Sequence, residues 1–468
     1  MAAQWGLPFN EIPDLGDRLY NFCEQFRPLL RTKTHDTSQY GFEYVSGLLR
    51  LETKRNITEI SRQVGVASQN MQQFMSDSPW AGSGLIEAVQ NQVKVHPAFA
   101  EAVAVVDESA DEKGGEISVG AGRQHNGRLG KVDLSQVGVF LALVTPQASV
   151  WVDGELFVPE SWFEPAQAVL RQRVDLPAQR TFQTKPELAW TLIERARANG
   201  LPFVAVDMDD LYGRNRNLRR RLEEAEIEYY GDIPANTRVY LDQPRFETKL
   251  TKRGKPAKHK RVVAQHRCQA QDLLTEPDLV WTRLTLRPTQ RGHLTADWAR
   301  CRVWLVEGEE TYQRWLLIRR DPKQASYSLS NAPLQTALDT MAWRKSQRAF
   351  IERSNQDGKS EFGWDEFQAL KYRAWQHQLA LTILAAWFVA DTRLDWQARF
   401  AADPALLAQY ETDVLPLLSV SNVRTLLRAA LPLPQLTSEQ ATALVIEHLL
   451  NRTLSRKSRL RKEHGSET

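Results

Sequence analysis

Three aspartates follow an apolar segment in "FVAVDMDDLYG", residues 203–213. Asp207, Asp209 and Asp210 carry like charges, which resist burial unless a cation or another partner compensates them. A further carboxylate, Asp107, ends a second apolar segment, "AVAVVDES". Short apolar runs of this kind are typical of buried strands. The sequence therefore predicts carboxylates at the ends of two strands of a sheet.

A predicted helix later in the chain places another carboxylate between two cations. Side chains at spacings of three, four or seven residues share one helix face. On this helix they are Leu338, Met341, Lys345, Arg348, Glu352 and Lys359. The face begins apolar, as if it packs on the sheet, and ends in charged residues, which is unusual for a packing surface.

Carboxylates that converge from distant segments suit a hard divalent cation. Mg²⁺ takes one or two carboxylates and keeps other positions for water and substrate phosphate. Two ions about 4 Å apart activate an attacking water or hydroxyl and stabilise the leaving oxygen of a phosphodiester. We predict that Asp107, Glu352 and one of the cluster Asp207, Asp209 and Asp210 are catalytic and bind two Mg²⁺ ions, which Mn²⁺ can replace. Arg348 and Lys359 would then hold neighbouring phosphates.

The elements that must position these residues follow an α/β order. Residues 1–95 have helical periodicity, and short apolar strands begin at about residue 100. A helix, "KPELAWTLIERARANG", precedes the strand that leads into Asp209. Residues 236–330 are rich in β-forming residues and short turns. This β-rich segment carries Trp281, Trp298, Trp304 and Trp315. Helices return over 331–395, with Pro333 in a first turn, and continue over 396–468, which ends in a basic tail.

The segment "NITEISRQVGVASQNMQQFM", residues 56–75, has the rhythm of a helix-turn-helix. Thr58 can cap a first helix, Gly65 permits the turn, and Ser68 can cap a second helix. The second helix would present side chains able to contact base edges or phosphates. These are Gln69, Gln72 and Gln73. Helical hairpins that bind nothing have the same pattern, so the alternative stays open.

The composition favours a globular protein of the cytoplasm. No apolar run is long enough to span a membrane, and the N-terminus has no secretion signal. The three cysteines show no pairing pattern, which fits a reducing compartment and argues against a thiolate zinc site. The net charge of +3 is unevenly spread, with basic clusters at 214–221, 249–261 and 452–462. Such clusters beside aromatic residues suit nucleic acid, although solvated helix faces would look similar.

Residues 105–143, "VVDESADEKGGEISVGAGRQHNGRLGKVDLSQVGVFLAL", resemble the DDE-type transposases of bacterial insertion sequences. That family has a strand-end Asp, a Lys-Gly turn, an "SVG-ARQ" stretch and a "GK" before the next strand. By this resemblance Asp107 is the first catalytic residue. The family's second motif is an Asp, two further residues and a Tyr-Gly pair, so "DDLYG" makes Asp209 the second catalytic residue.

The third motif of the family sets an Arg four residues before a catalytic Glu and a Lys seven residues after it. Arg348, Glu352 and Lys359 have this spacing. The similarity extends over about residues 30–395. It departs from the family at Lys345, where an aromatic residue is usual, and in the turn after Asp107, which is acidic here.

The resemblance implies a fold and a set of partners. The implied fold is a ribonuclease H-like catalytic core, residues 96–235 and 331–395, interrupted by a mostly β insertion domain, 236–330. A helical DNA-binding domain, 1–95, precedes the core, and a helical C-terminal region, 396–468, follows it. The implied partners are double-stranded DNA, as terminal inverted repeats and as target, and a second copy in a synaptic homodimer at the bacterial nucleoid.

The resemblance also implies further contacts with DNA. Besides Arg348, Lys359 and the three glutamines, we assign Arg123, Tyr212 and Trp298 to DNA binding. Trp298 is the weakly preferred member of the four insertion tryptophans for stacking on a flipped base.

The implied activity is Mg²⁺-dependent cut-and-paste transposition: cleavage at the transposon ends and transfer of the 3′-OH into target DNA. Two alternatives remain. The chain could be a catalytically inactive DNA-binding protein derived from a transposase, which the acidic turn (Glu108, Asp111, Glu112) and Lys345 would favour. It could instead be a structure-specific nuclease on the same core that joins nothing.

Overall fold

A computed structural model describes residues 1–127, 129–248, 260–289, 292–321 and 324–433, with scattered residues between 437 and 457. Most of the basic clusters at 249–261 and 452–462 therefore lies outside the described residues. Within these ranges, none of the helices combines the length and hydropathy that a membrane crossing requires.

The described chain alternates helical and strand-rich segments. The helices are α1 (Leu15–Glu24), α2 (Ser38–Arg50), α3 (Ile57–Val64), α4 (Ser68–Ser76), α5 (Gly82–Val95), α6 (Ala168–Arg173), α7 (Lys185–Ala198), α8 (Asp210–Gly213), α9 (Arg216–Glu224), α10 (Leu338–Lys345), α11 (Arg348–Ser360), α12 (Tyr372–Arg399), α13 (Ala405–Gln409) and α14 (Val420–Ala430). The strands are β1 (Ala102–Glu112), β2 (Gly122–Asn126), β3 (Lys131–Val144), β4 (Ser149–Phe157), β5 (Phe203–Met208), β6 (Tyr229–Ile233), β7 (Arg238–Tyr240), β8 (Arg245–Glu247), β9 (Arg261–Val263), β10 (Arg267–Gln269), β11 (Thr282–Thr289), β12 (Gly292–Glu307), β13 (Glu310–Arg320) and β14 (Ala325–Ser330).

A large mixed sheet organises the described residues. Its strands run in the order β10-β7-β12-β13-β14-β6-β5-β1-β3-β2, with β4 beside β3 and β11 beside β12. β1, β5 and β6 are parallel, whereas β3 is antiparallel to both β1 and β4. The strands of the predicted insertion continue this sheet, because β14 pairs antiparallel with β6.

β1 is longer than the sequence predicts. It was expected to end at Asp107, but β3 keeps pairing with it as far as Glu112. The parallel pairing with β5 does stop early, at Val106 opposite Met208. Asp107 and Asp209 are therefore each the next residue after this last pair, which places them side by side. The next strand, β2, begins only at Gly122, so most of the segment "EISVGAGRQ" lies before it, and β4 follows β3 at Ser149.

The helix-turn-helix segment forms two helices joined by a three-residue turn, with different caps from those predicted. Asn56, not Thr58, caps α3: its side chain accepts a hydrogen bond from Glu59 N at 3.0 Å. Gly65 ends α3 with φ 75°, a left-handed conformation that glycine adopts without strain. Ser68 is the first residue of α4, and Ala67 is its N-cap without a side-chain bond.

These N-terminal helices pack directly on α12. The buried Tyr44 hydroxyl of α2 donates to Gln378 Oε1 at 2.6 Å. His377 stacks on Trp80 at 3.7 Å between ring centroids, and its two ring nitrogens face the carbonyls of Met75 and Trp80. The apolar core runs without interruption from Leu15 of α1 to Leu427 of α14. The N-terminal helices thus share a core with the sheet.

The single helix predicted after the insertion is two helices. α10 starts at Leu338, later than Pro333 suggested, and α11 starts at Arg348. The break has a local cause: Ser346 Oγ donates to Ala342 O and Gln347 Nε2 donates to Trp343 O, both at 2.6 Å. Ala342 O keeps its helical bond from Ser346 N, but Gln347 N donates to Arg344 O, so the Gln347 side chain takes the carbonyl that its own N–H would bond in a continuing helix.

Candidate active site

Asp107 and Asp209 form a carboxylate pair beside the last paired residues of β1 and β5. Burial raises the pKa of Asp107 to about 7, and the negative charges of Glu108 and Asp209 add to the shift. Asn355 of α11 donates from Nδ2 to Asp107 Oδ2 at 3.1 Å. Two neighbouring carboxylates, whose ionised forms are disfavoured by burial and by each other, suit a site that receives a cation.

Asp209 is held by the start of α8. Its Oδ1 accepts hydrogen bonds from Leu211 N at 2.9 Å and Tyr212 N at 3.3 Å. Burial and the charge of Glu108 raise the pKa of its carboxyl group. This N-cap arrangement fixes one oxygen and sets the position of the other.

α8 lies against β6 at a very close approach of two glycines. A Cβ added at Gly213 would lie 2.6 Å from the carbonyl carbon of Gly231 and closer still to Asp232 O. A Cβ at Gly231 would lie 2.7 Å from Gly213 Cα. The two backbones are therefore in direct contact.

Of the other two aspartates in the opening motif, Asp207 has a partner inside the protein. It is fully buried, and Lys345 Nζ donates to its Oδ1 at 2.7 Å while Arg348 N donates to Oδ2 at 3.0 Å. Lys345 also lies 3.2 Å from Asp232 of β6. Burial lowers the pKa of Lys345, but the two carboxylates outweigh it and raise that pKa. Asp210 is exposed.

Glu108 is the centre of a second polar cluster beside the pair. The Tyr212 hydroxyl donates to Glu108 Oε2 at 2.6 Å, and Lys185 Nζ of α7 donates to Oε1 at 2.8 Å. Tyr212, which the sequence assigned to DNA, is fully buried, and its hydroxyl is engaged with Glu108 rather than with solvent. The cluster joins β1, α8 and α7.

Arg348 lies between the aspartate pair and Glu352. Its Nη2 is 3.0 Å from Glu352 Oε1. Burial lowers the pKa of the Arg348 guanidinium, but the negative charges of nearby carboxylates, Glu352 most and Asp107 next, raise it overall. Arg348 Nε is buried and, within the described residues, has no hydrogen-bond partner. This donor is available to an acceptor that the protein itself does not supply.

Glu352 does not share the position of the two aspartates. Its side chain is 57% exposed and bonded to Arg348. In the part of the chain that the structure describes, no group of three or more His, Cys, Asp or Glu side chains is placed to hold a metal ion. The expected convergence of three carboxylates is therefore realised for Asp107 and Asp209 only. Two carboxylates are still a donor set that Mg²⁺ accepts.

Lys359, expected to hold phosphate, is bonded to β1. Its Nζ donates to Ala110 O at 2.6 Å and lies 3.0 Å from the buried Asp111. The ammonium thus neutralises part of the acidic segment that follows Asp107. Burial lowers the pKa of the nearby Lys113, whose Nζ donates to Phe367 O at 3.0 Å.

The remaining residues assigned to DNA lie away from the carboxylate pair. Arg123 is exposed on β2, and Gln69, Gln72 and Gln73 are exposed on α4, as the helix-turn-helix pattern predicts. Trp298 is different: it is 2% exposed and packs in a core cluster with Tyr230 and Met341. Its ring is not exposed to a base in this structure, so base stacking by Trp298 stays a prediction that requires the ring to leave this cluster.

Three contacts of the site were not predicted from the sequence. Asn355 follows Glu352 by three residues and Arg348 by seven, so the helical spacing that selected those residues could also have selected it. Lys185 and Asp232 carry no such signal, because each reaches the site from a separate element.

Comparison with known proteins gives two findings. Residues 24–293 match the family described as DDE superfamily endonuclease. This range contains Asp107 and Asp209 and ends within β12, before α11. The chain is also similar to a probable transposase for insertion sequence element IS701 from Microchaete diplosiphon. The two are 25% identical over 348 residues, which is 71% of this chain and 77% of that protein.

Proposed function

Because the chain belongs to the DDE superfamily endonucleases, we propose that it is a DNA transposase. In this proposal it cleaves the ends of an insertion sequence and joins the freed 3′-OH to target DNA. The observation that carries the proposal is the placement of Asp107 and Asp209 directly after the last parallel pair of β1 and β5. The order β4-β3-β1-β5-β6 supports a ribonuclease H-like core for it.

Asp107 and Asp209 are the residues that would hold a divalent ion, Mg²⁺ or Mn²⁺. When bound, such an ion supplies an activated water or hydroxyl and stabilises the leaving oxygen. Asn355 orients Asp107 through Oδ2, and the N-terminus of α8 orients Asp209. Both carboxyl groups must be ionised to bind a cation, and their raised pKa values make that binding sensitive to pH.

Arg348 and Glu352 act together in this proposal. A phosphate oxygen of DNA would accept from the unpartnered Nε of Arg348 and compete with Glu352 for the guanidinium. Glu352, whose side chain is exposed, would then be free to turn toward the aspartate pair as the third carboxylate. Lys359 would act mainly by holding α11 on β1.

The structure weakens the support for an inactive DNA-binding protein. That alternative relied on the acidic segment after Asp107 and on Lys345. Asp111 is paired with Lys359, Glu108 with Lys185, and Lys345 with Asp207. These charges are compensated within the protein, so they do not oppose the approach of phosphate as free charges would.

The test uses a plasmid that carries the insertion sequence with its flanking DNA. We expect Asp107→Asn, Asp209→Asn and Glu352→Gln to abolish nicking at the ends with Mg²⁺ while DNA binding is kept. Asp210→Asn, which changes an exposed neighbouring carboxylate, is the matched control and should nick like the wild type.

Nicking that survives Asp107→Asn or Asp209→Asn would contradict the proposed ion-binding pair. Survival in Glu352→Gln alone would remove only the third carboxylate. A target plasmid added to the same reaction separates transposition from simple hydrolysis, because only a transposase inserts the cleaved end. The same end complexes, sized in solution, would show whether two copies act together.

A further inference from the structure

A groove runs between the start of α7 and the start of α9, next to α8. It consists of two adjoining cavities of about 280 Å³ and 550 Å³. Both are lined by the same four residues, Thr184, Pro186, Asn215 and Asn217. Leu211, two residues after Asp209, lines the larger cavity. The groove thus begins beside the carboxylate pair.

The lining of the groove is strongly cationic. It includes Arg214, Arg216, Arg220 and Arg221, against one carboxylate, Glu187. Glu187 is already engaged, because its Oε2 accepts from Thr184 N and Oγ1, each at 2.8 Å. That carboxylate caps α7. Outside the lining, Arg216 pairs with Glu307 and Glu310 and Arg220 pairs with Glu224, so the arginine charge of the groove is compensated in part.

In the basic cluster at 214–221, some arginines bond to other parts of the protein and others are exposed. Arg219 is buried and donates to Gly213 O and Glu307. Arg216 lies 2.7 Å from Glu307. Arg214, Arg220 and Arg221 are exposed.

The exposed arginines have only weak partners of their own. Arg220 has a 3.4 Å pair with Glu224 in which both side chains are exposed, and such pairs contribute little. The Arg221 guanidinium lies 5.9 Å from the centre of the Trp190 ring. The groove therefore offers cations, amides and an aromatic face, which is the combination that binds a nucleic-acid strand.

We propose that this groove binds the phosphodiester backbone of DNA leading to or from the carboxylate pair. The inference rests on the proposed function for its choice of ligand. The side-chain amides of Asn215 and Asn217 and the first N–H groups of α9 add donors for phosphate oxygens. The backbone could belong to the transposon end, its flank or the target, which share this chemistry.

The first experiment measures binding alone, in EDTA, with short mixed-sequence DNA as duplex and as single strand. Each phosphate contact contributes about 0.9 to the slope of log affinity against log salt for duplex DNA. We expect Arg221→Ala to lower that slope by about 1 and Arg220→Ala/Arg221→Ala by about 2. Arg173→Ala, which removes an exposed arginine from α6, is the control and should leave the slope unchanged.

Charge reversal gives a second, stronger variant. Arg220→Glu/Arg221→Glu should weaken binding more than the alanine pair, with the same midpoint of thermal unfolding as the wild type. Affinity and salt slope equal to wild type in both double variants would overturn the proposal. Because these measurements involve no cleavage, they stand whether or not the protein cuts DNA.

The source of the backbone is identified with the plasmid reactions. Groove variants that nick slowly at the ends would place donor DNA in the groove. Variants that nick normally but fail to join a target plasmid would place target DNA there. Wild-type rates in both steps, with weakened binding of mixed-sequence DNA, would contradict a role near the carboxylate pair.

Discussion

At the scale of single residues, the two aspartates show how burial prepares a site for a cation. Asp107 is flanked by Glu108 in sequence and by Asp209 in space, and among the described residues its side chain accepts a hydrogen bond from the neutral Asn355. Asp207 is more deeply buried yet has a cation, Lys345, on it. The difference distinguishes Asp207, whose charge is compensated by Lys345, from Asp107 and Asp209, which we propose to bind a cation.

The raised pKa of Asp107 predicts how cleavage depends on pH. A carboxyl group with a pKa of about 7 is protonated below neutrality, and a cation binds only the ionised form. At subsaturating Mg²⁺ we expect the single-turnover nicking rate to fall about tenfold per pH unit below that value. Glu108→Gln removes the largest charge that raises the pKa, so it should move this fall to lower pH.

The measurement is a rate profile from acid to alkaline pH at two Mg²⁺ concentrations. Saturating Mg²⁺ should displace the acid limb to lower pH, since the ion competes with the proton. A rate that stays constant through neutrality at low Mg²⁺ would show that Asp107 does not bind the ion as proposed.

At the scale of elements, a buried ion pair positions α11 relative to β5. Lys345 ends α10, and the backbone N–H that begins α11 donates to the other oxygen of Asp207. One carboxylate of β5 therefore holds both sides of the break between the helices. Asp209 lies two residues further along the chain, so the pair also positions Arg348 relative to Asp209.

This predicts a large and specific loss of stability. Lys345→Met leaves Asp207 buried without its cation, and breaking such a pair costs about 3–5 kcal/mol. Lys345→Met/Asp207→Asn removes both charges and should recover most of the loss. Denaturant unfolding of the two variants measures the difference.

A Lys345→Met variant as stable as the wild type would contradict this prediction. It would mean that Asp207 takes up a proton without a cost in stability and that Asp232, on the other side of Lys345, does not need the lysine. The control is Lys260→Met, which removes an ion pair with Glu309 in which both side chains are exposed and should change stability by about 1 kcal/mol or less.

At the scale of the whole molecule, the helix-turn-helix is not a separate appendage. α2, α4 and α5 pack on α12, and their apolar residues belong to the same core as the sheet. Removing residues 1–95 would expose that core, so a truncated chain cannot report on DNA recognition. Surface substitutions on α4 can.

We expect the three exposed glutamines to affect sequence recognition without affecting folding. Replacing Gln69, Gln72 and Gln73 by Ala should reduce the preference for the element's own ends over mixed-sequence DNA, by about 1–3 kcal/mol for each lost base contact. Competition binding measures the preference. Gln39→Ala, an exposed glutamine on α2, is the control, and an unchanged preference in the triple variant would contradict the assignment.

The sequence predicts the local features of this protein better than its long-range ones. The apolar segments before Asp107 and Asp209 are strands, and Gly65 ends a helix as expected, because both follow from neighbouring residues. The pair of Lys345 with Asp207 spans 138 residues, and no local pattern marks it. The predicted end of β1 at Asp107 came too early, because β1 continues to pair with β3 beyond the point where its pairing with β5 stops.

The site was predicted in part for the same reason. Helical spacing selected the charged face of α11, but it could not show that Glu352 is turned to Arg348 or that Lys359 reaches β1. Trp298 was only weakly preferred among the four tryptophans of the insertion, because no local pattern shows which of them is buried. In the structure it is 2% exposed and belongs to the same core cluster as Tyr230.

The contact between Gly213 and Gly231 explains why the "DDLYG" motif ends in a glycine. Because a Cβ at position 213 would lie 2.6 Å from the carbonyl carbon of Gly231, there is no room for a methyl group between β6 and the turn that begins at Asp209. Any larger residue at position 213 would lift that turn and carry the Asp209 oxygens away from Asp107. Gly213 therefore sets the distance between this turn and β6, and through it the position of the Asp209 carboxylate.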